Sequence, residues 1–473
     1  MKITPVAALL MIGVAIFFSS CGGGGGGDGG GGGAGVVGPR LLFAASDGVS
    51  SGLWKTDGTN AGTLRVNASP LSGLTVFNGV LYFAASDGVS GAELWKTVGT
   101  DAGATRVKDI NPGVGSSSPS QFTVFNGALY FVADDGVSGE ELWKTDGTDA
   151  GTVRVKDINP GIGDSFPSQF TVFNGALYFQ ANDGVSGGEL WKTDGTDTGT
   201  VRVKDINPGT GNSFPGGFIV FNLALYFRAS NDGVSSGLWK TDGTGAGTVL
   251  VKNIEPRNVP SASLFTVFNE ALYFAADDGV SGEELWKTDG TDAGTVLVKD
   301  INPGTLSGSP NTPAGSQPYG FTVFNGALYF AASSRATGGS ELWKTDGTEA
   351  GTQLVIDIYP GFQGSELDKF TVFNGALYFR ANDGFRGLEL WKTDGTIPGT
   401  ELVKDIRPGV FGSFQAGSTR GFTVFNGALY FAADDGVSGE ELWKTDGTNA
   451  GTVLVKDINP GVGSSSPDGL TPF

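Results

Sequence analysis

Acidic residues recur in groups of four around one kind of short turn, and carboxylates grouped in this way can ligate a hard cation. Two aspartates precede the segment Gly-Val-Ser-Gly and two glutamates follow it. The complete groups are Asp134, Asp135, Glu140 and Glu141; Asp277, Asp278, Glu283 and Glu284; and Asp434, Asp435, Glu440 and Glu441. Because Ca²⁺ prefers oxygen ligands, these residues are candidate calcium ligands, and calcium is the one cofactor suggested. Alternatively, the Asp-Gly pair only sets the geometry of a solvated turn.

A second group of candidates consists of aromatic and arginine residues that interrupt an otherwise regular pattern. They lie in turns and long connections rather than in apolar runs, and they are Arg335, Phe385, Arg386, Phe411, Phe414 and Arg420. Side chains of these types dominate binding interfaces, and they stack well on sugars. We therefore treat them as candidate ligand-binding residues. The alternative is that each phenylalanine packs into its own loop or caps a central channel.

Several kinds of chemistry are excluded by composition. The chain has no histidine, which excludes Ser-His-Asp and Cys-His catalysis and histidine-ligated zinc. Paired carboxylates also suggest glycoside hydrolysis, but these pairs repeat, whereas catalysis needs one asymmetric arrangement. The formal net charge of −19 argues against nucleic acid as a partner. We therefore expect no enzymatic activity.

The candidate residues belong to a repeat whose most constant part reads Glu-Leu-Trp-Lys-Thr-Asp-Gly-Thr. All nine tryptophans lie in it, 41 to 57 residues apart. One unit holds apolar runs at 122–125, 128–133, 141–145 and 152–158, with Asn-Gly or Asp-Gly turns between them. These runs predict four antiparallel strands, a to d, and a period near 48 is typical of one propeller blade. Strands a and b are apolar on both faces, which predicts burial between neighbouring blades.

The two ends of the repeat region are complementary. It begins at Leu41-Leu-Phe-Ala44, which matches a strand b, and finishes at Leu470-Thr-Pro-Phe473, which matches a strand a. We therefore expect an all-β fold, a single closed propeller of about nine four-stranded blades. The N-terminal strands b, c and d would join the C-terminal strand a in a three-plus-one closure. The b–c and d–a connections emerge on one face, and their variation marks that face as the candidate binding surface.

The first 38 residues have a different composition. Lys2, an apolar run over 6–18 and two serines precede Cys21, an order that resembles a bacterial lipoprotein signal. We predict a signal peptide at 1–20, lipidation of Cys21, a polyglycine tether over 21–38 and the propeller over 39–473. By the same resemblance, the residue after Cys21 favours the outer membrane. The alternatives are an ordinary signal peptide or an uncleaved helix, for which the apolar run is short.

Written ELWxxDGTxxGTxLVKDI, the repeat resembles that of the bacterial ELWxxDGT repeat family, and the match covers nearly everything from Leu41 onward. Val98 replaces the aspartate in the second unit, and Gly52 and Gly237 replace the glutamate in the first and fifth. The resemblance implies a secreted or surface-exposed propeller and no established activity.

Together these features predict a lipid-anchored, surface-displayed monomer that binds an extracellular protein or glycan without catalysis. One alternative is a calcium-stabilised structural or adhesive surface protein. A carbohydrate-active enzyme is a weaker one.

Overall fold

The computed structural model describes residues 38–67, 71–99, 103–234, 236–256, 264–306, 309–361 and 363–473. Residues 39–473 form one compact unit. The predicted signal peptide, the lipidation site Cys21 and nearly all of the predicted tether lie outside the described residues. The lipid anchor and the outer-membrane location therefore stay predictions. Within the described ranges, no helix has the length and apolarity needed to cross a bilayer.

Residues 39–473 form nine antiparallel blades, which confirms the predicted all-β propeller. Each blade has the strand order a-b-c-d, and the a strands of successive blades are close neighbours around the ring. Strand a is therefore the innermost strand and lines a central channel.

The strand bounds follow, with the blades taken in chain order from the first strand b. Strands b span Leu41–Ser46, Val80–Ser86, Ala128–Asp134, Ala176–Asn182, Ala224–Ser230, Ala271–Asp277, Ala327–Ser333, Ala376–Asn382 and Ala428–Asp434. Strands c span Ser51–Thr56, Ala92–Thr97, Glu140–Thr145, Gly188–Thr193, Ser236–Thr241, Glu283–Thr288, Ser340–Thr345, Leu388–Thr393 and Glu440–Thr445. Strands d span Leu64–Asn67, Thr105–Lys108, Val153–Lys156, Val201–Lys204, Val249–Lys252, Val296–Lys299, Gln353–Ile356, Glu401–Lys404 and Val453–Lys456.

Strands a of blades 2 to 9 span Leu71–Phe77, Ser120–Phe125, Ser168–Phe173, Gly216–Phe221, Phe265–Phe268, Tyr319–Phe324, Asp368–Phe373 and Thr423–Phe425, and that of blade 1 spans Asp468–Pro472. Three short strands are additional. Glu255–Pro256 pairs with strand b of blade 6, and Thr305–Leu306 pairs with Ser309–Pro313.

The ring closes as predicted, because the C-terminal strand supplies strand a of blade 1. Leu41–Ser46 pairs antiparallel with Asp468–Pro472. The backbone amides of Arg40 and Phe473 each donate to the other's carbonyl, at 2.9 and 2.7 Å. Across the closing seam the Lys444 ammonium donates to the Gly58 carbonyl at 2.8 Å. Seams between consecutive blades carry the same bond, so the closing seam is built like the others.

The core lies between blades. At the seam of blades 3 and 4, Tyr130 and Leu142 of one blade pack with Phe179 and Trp191 of the next. Nine such clusters are found among the described residues. Seven of the nine tryptophans are at most 7% exposed and belong to these clusters between blades.

The prediction that strand a is buried on both faces is wrong at one position. The valine before its last phenylalanine is exposed to between 42 and 46% in seven blades. These residues are Val124, Val172, Val220, Val267, Val323, Val372 and Val424. Strand a is the innermost strand of its blade, so an exposed residue of this strand borders the channel. The channel therefore carries an apolar ring.

Candidate functional site

The aspartates of the acidic turns cap their own turn. Asp134 accepts a hydrogen bond from the Gly136 amide at 2.7 Å. Asp135 accepts from the amides of Val137 and Ser138, at 3.0 and 2.7 Å. The turns that begin at Asp277 and Asp434 are built in the same way. These carboxylates therefore already stabilise the b–c turn.

The second glutamate of each group is fully buried. Glu141 accepts hydrogen bonds from the amides of Ile158 and Asn159 and from the Ser165 hydroxyl, at 3.0, 3.1 and 2.7 Å. It therefore fixes the start of the d–a connection to strand c. Burial raises the pKa of Glu141 to about 7, although the hydrogen bonds favour the ionised form. Glu284 and Glu441 have equivalent contacts.

The four carboxylates of a group are thus not brought together around one point. The first glutamate differs between turns: Glu140 lies near Asp164, and burial raises its pKa, whereas Glu440 pairs with Arg420 at 2.5 Å. In the part of the chain that the structure describes, no three acidic side chains group closely enough to hold a metal ion. Calcium binding stays a prediction without a formed site.

The candidate ligand-binding residues separate into one core residue and a scattered surface set. Phe414 is only 7% exposed and packs against Phe422 and Phe431, which agrees with the alternative that a phenylalanine of these loops packs inward and not with a role in ligand binding. It lies in the long d–a connection of blade 8, which turns inward at this point. A phenylalanine at this place fills the core between blades 8 and 9.

That connection is held by an arginine that the sequence did not single out. Arg380, in strand b of blade 8, is 2% exposed, and its guanidinium pairs with Asp368. It also donates to the Ser418 carbonyl at 3.1 Å and lies over the Phe414 ring, 5.4 Å from the centroid. Most blades have alanine at this position. Arg380 therefore stabilises the loop that carries three of the candidates.

We expect Arg380→Ala to lower the free energy of unfolding by about 3 kcal/mol, because the change leaves Asp368 and the Ser418 carbonyl without their partner. Chemical denaturation measures the change. Arg407→Ala is the matched control: Arg407 pairs with Asp434 at the surface, and its loss is expected to cost less than about 1 kcal/mol. Equal effects of the two variants would contradict the anchoring role of Arg380.

The remaining candidates lie at the surface. Phe385 and Phe411 are each 77% exposed. Arg386 pairs with Asp383, and Arg420 pairs with Glu440. Arg335 donates to the Thr305 carbonyl in the neighbouring connection. The three arginines are thus engaged within the loops.

A further candidate site, whose residues we did not predict from the sequence, lies in the channel wall. A cavity of about 320 Å³ opens between strands a of blades 3, 4 and 5. Its lining residues come from the start of these strands and are Gln121, Phe122, Thr123, Gln169, Phe170, Thr171, Gly217 and Phe218. None of them carries a charge. Phe122 and Phe170 form the apolar floor, since each packs against a phenylalanine of its own strand b.

The wall also presents unpaired strand edges. In each of these blades strand a is bonded to strand b on one side and lies at the end of its sheet on the other. Its inner edge therefore offers backbone N–H and C=O groups to the channel, and such an edge can pair with a further extended chain. A sequence signal existed in the Phe-Thr-Val-Phe motif, but the apolar valine indicated core rather than channel surface.

Comparison of the sequence with family models and with curated proteins gives no match. Similar solved structures include a puromycin hydrolase in complex with PGG, at 12% identity and a TM-score of 0.36, which covers 78% of this chain and 58% of that one. A prolyl endopeptidase structure has 12% identity and a TM-score of 0.39, and the match covers 77% of this chain and 54% of that one. A Mycobacterium tuberculosis puromycin-hydrolyzing peptidase has 9% identity and a TM-score of 0.36, and the match covers 79% of this chain and 59% of that one. This chain thus spans a little over half of their length.

These comparisons bear on the functional prediction. The similar solved structures are those of hydrolytic enzymes, so they do not support the prediction of a surface-anchored, non-catalytic binding or scaffold module for an extracellular ligand. Its alternatives, an adhesive protein and a carbohydrate-active enzyme, gain no support either. At these identities the likeness concerns the fold alone, and it does not show a catalytic activity for this chain.

Proposed function

We propose that the protein acts on peptides, and that its central channel binds an extended segment of polypeptide. The observation that supports this proposal is the inner surface of the ring, where open strand edges lie beside half-exposed valines. An extended peptide satisfies both features at once. Its backbone pairs with a strand edge, and its alternate side chains contact the apolar ring.

The cavity between strands a of blades 3, 4 and 5 is a place in the described wall where such a segment would find contact. Its volume of about 320 Å³ suits a few side chains rather than a folded domain. Gln121 and Gln169 offer amide donors and acceptors at its mouth, and the phenylalanines below offer apolar surface. Peptide groups need this combination, since each residue brings a polar backbone and a side chain of variable polarity.

Binding of fluorescent decapeptides with alternating aliphatic residues, followed by fluorescence anisotropy, tests the proposal. We expect Val172→Asp to weaken binding about tenfold or more, because it places a charge in the apolar ring. Val185→Asp is the matched control, since Val185 lies in the b–c turn of the same blade and is 72% exposed. It should leave binding unchanged.

Two results would count against a peptide channel: no peptide binds, or both variants bind as the unchanged protein does. Mass spectrometry of the peptides recovered from the same samples shows whether they are intact or cleaved. Intact peptides indicate a channel that holds its ligand, and cleaved peptides indicate that the chain also hydrolyses it.

A further inference from the structure

The channel wall contains an unusual backbone position at the cavity. Where strand a begins, its register with strand b shifts by a β-bulge. One residue of the bulge has a positive φ, a conformation that suits glycine. Glycine occupies this position in blades 2, 5, 7 and 1, as Gly73, Gly217, Gly320 and Gly469.

Blades 3 and 4 instead have Gln121 and Gln169 there, at φ values of 58° and 64°. A side chain in this conformation is unfavourable for the fold, and glycine in the sister blades shows that the bulge forms without one. Both glutamines are exposed and line the same cavity. Their side chains are therefore present at a conformational cost, at a cavity of the channel wall.

We infer that Gln121 and Gln169 determine specificity, and that they select a peptide with a side-chain carboxamide, that of asparagine or glutamine, next to aliphatic residues. This inference rests on the proposed peptide channel. A carboxamide offers one acceptor and two donors, which match the groups of the two glutamine amides that line the cavity. Gln169 already accepts a weak bond from the Gly217 amide at 3.4 Å, which leaves its NH₂ group to donate.

A carboxylate fits the same donors less well. No lining residue of the cavity is cationic, and the chain has a net charge of −19, so an anionic side chain gains no cationic partner and meets an unfavourable field. An aliphatic side chain would gain no hydrogen bond from either glutamine amide and would displace water that solvates them. The neutral carboxamide is thus the side chain that these residues fit best.

Three decapeptides that differ at one central position, glutamine, glutamate or leucine, test the inference by anisotropy. We expect the glutamine peptide to bind about tenfold more tightly than the other two. In the double variant Gln121→Gly/Gln169→Gly this preference should fall to about twofold or less. Its Tm should stay unchanged or rise by up to about 2 °C, because the unfavourable conformation is relieved.

Lys369→Gly is the matched control. Lys369 occupies the same bulge position in blade 8, with a φ of 57°, away from the cavity. This variant should keep the tenfold preference. A preference that survives in the double variant, or a Tm of the double variant that falls by several degrees, would overturn the inference. If none of the three peptides binds, the proposed function itself fails.

Discussion

Removal of residues 468–473 is expected to lower the free energy of unfolding by about 5 kcal/mol or more. These residues supply the innermost strand of blade 1, and their loss removes the hydrogen bonds to Leu41–Ser46. It also uncovers Leu41 and Phe43, both fully buried in the seam with blade 9. Blade 1 would then lack its innermost strand, so its packing between blades 9 and 2 would be weakened at the closing seam.

Thermal unfolding followed by circular dichroism measures this effect, and a synthetic peptide of residues 464–473 provides the control. The peptide should restore the Tm of the truncated protein in proportion to its concentration, since a ligand that binds only the folded state stabilises it. A scrambled peptide of the same composition should have no effect. A truncated protein that unfolds at the original temperature would contradict the closure as a source of stability.

The second large effect concerns pH. Burial raises the pKa of Glu141, Glu189, Glu284, Glu341 and Glu389 to about 7 from an ordinary value of 4.5. Between these two values the folded protein binds more protons than the unfolded chain, so stability falls as the pH rises from about 4.5 to about 7. A shift of this size corresponds to about 3 kcal/mol for one glutamate. We therefore expect a clearly lower free energy of unfolding at pH 8 than at pH 5.

Aspartates of the turns act in the opposite direction. The Thr148 hydroxyl and amide lower the pKa of Asp146 below 3.8, and the same turn recurs in most blades. Their contribution is present above pH 3.8 and is lost as the pH falls further. Together, the buried glutamates and the turn aspartates place the maximum of the free energy of unfolding between about pH 4 and pH 5.

Denaturant unfolding at pH 5 and pH 8 measures the difference, and Glu389→Gln identifies its source. Glutamine stays neutral at both pH values, so this variant should lose one glutamate's share of the pH dependence. Glu401→Gln, in the exposed start of strand d of the same blade, is the control and should keep the full difference. Stability that rises from pH 5 to pH 8 would contradict the raised pKa values.

The ring was predictable because its signals are local and repeated. Asn126-Gly127 fixes a hairpin within a few residues, and the tryptophan of strand c marks the same place in every blade. The match between Leu41–Ser46 and the C-terminal strand followed from the order of apolar runs. Each of these signals depends on the period of the repeat and on turn chemistry, which a sequence contains directly.

The site was not predictable in the same way, because exposure depends on how nine blades surround a channel. Val124 belongs to an apolar run and reads as core, yet the innermost strand has no neighbour on one side. Glu141 reads as a solvated charge, yet the returning chain brings Ile158 and Ser165 to its carboxylate. For Phe414 the sequence left binding and inward packing open, and its burial depends on the path of its long loop.

Photo-crosslinking tests the location of the peptide most directly. A photoreactive amino acid is placed at position 172 in the channel, at position 185 in the b–c turn, or at position 411 on the loop face, and the protein is illuminated with a labelled decapeptide. A peptide channel predicts strong labelling from position 172 and background labelling from the other two. Labelling from position 411 with none from position 172 would contradict it.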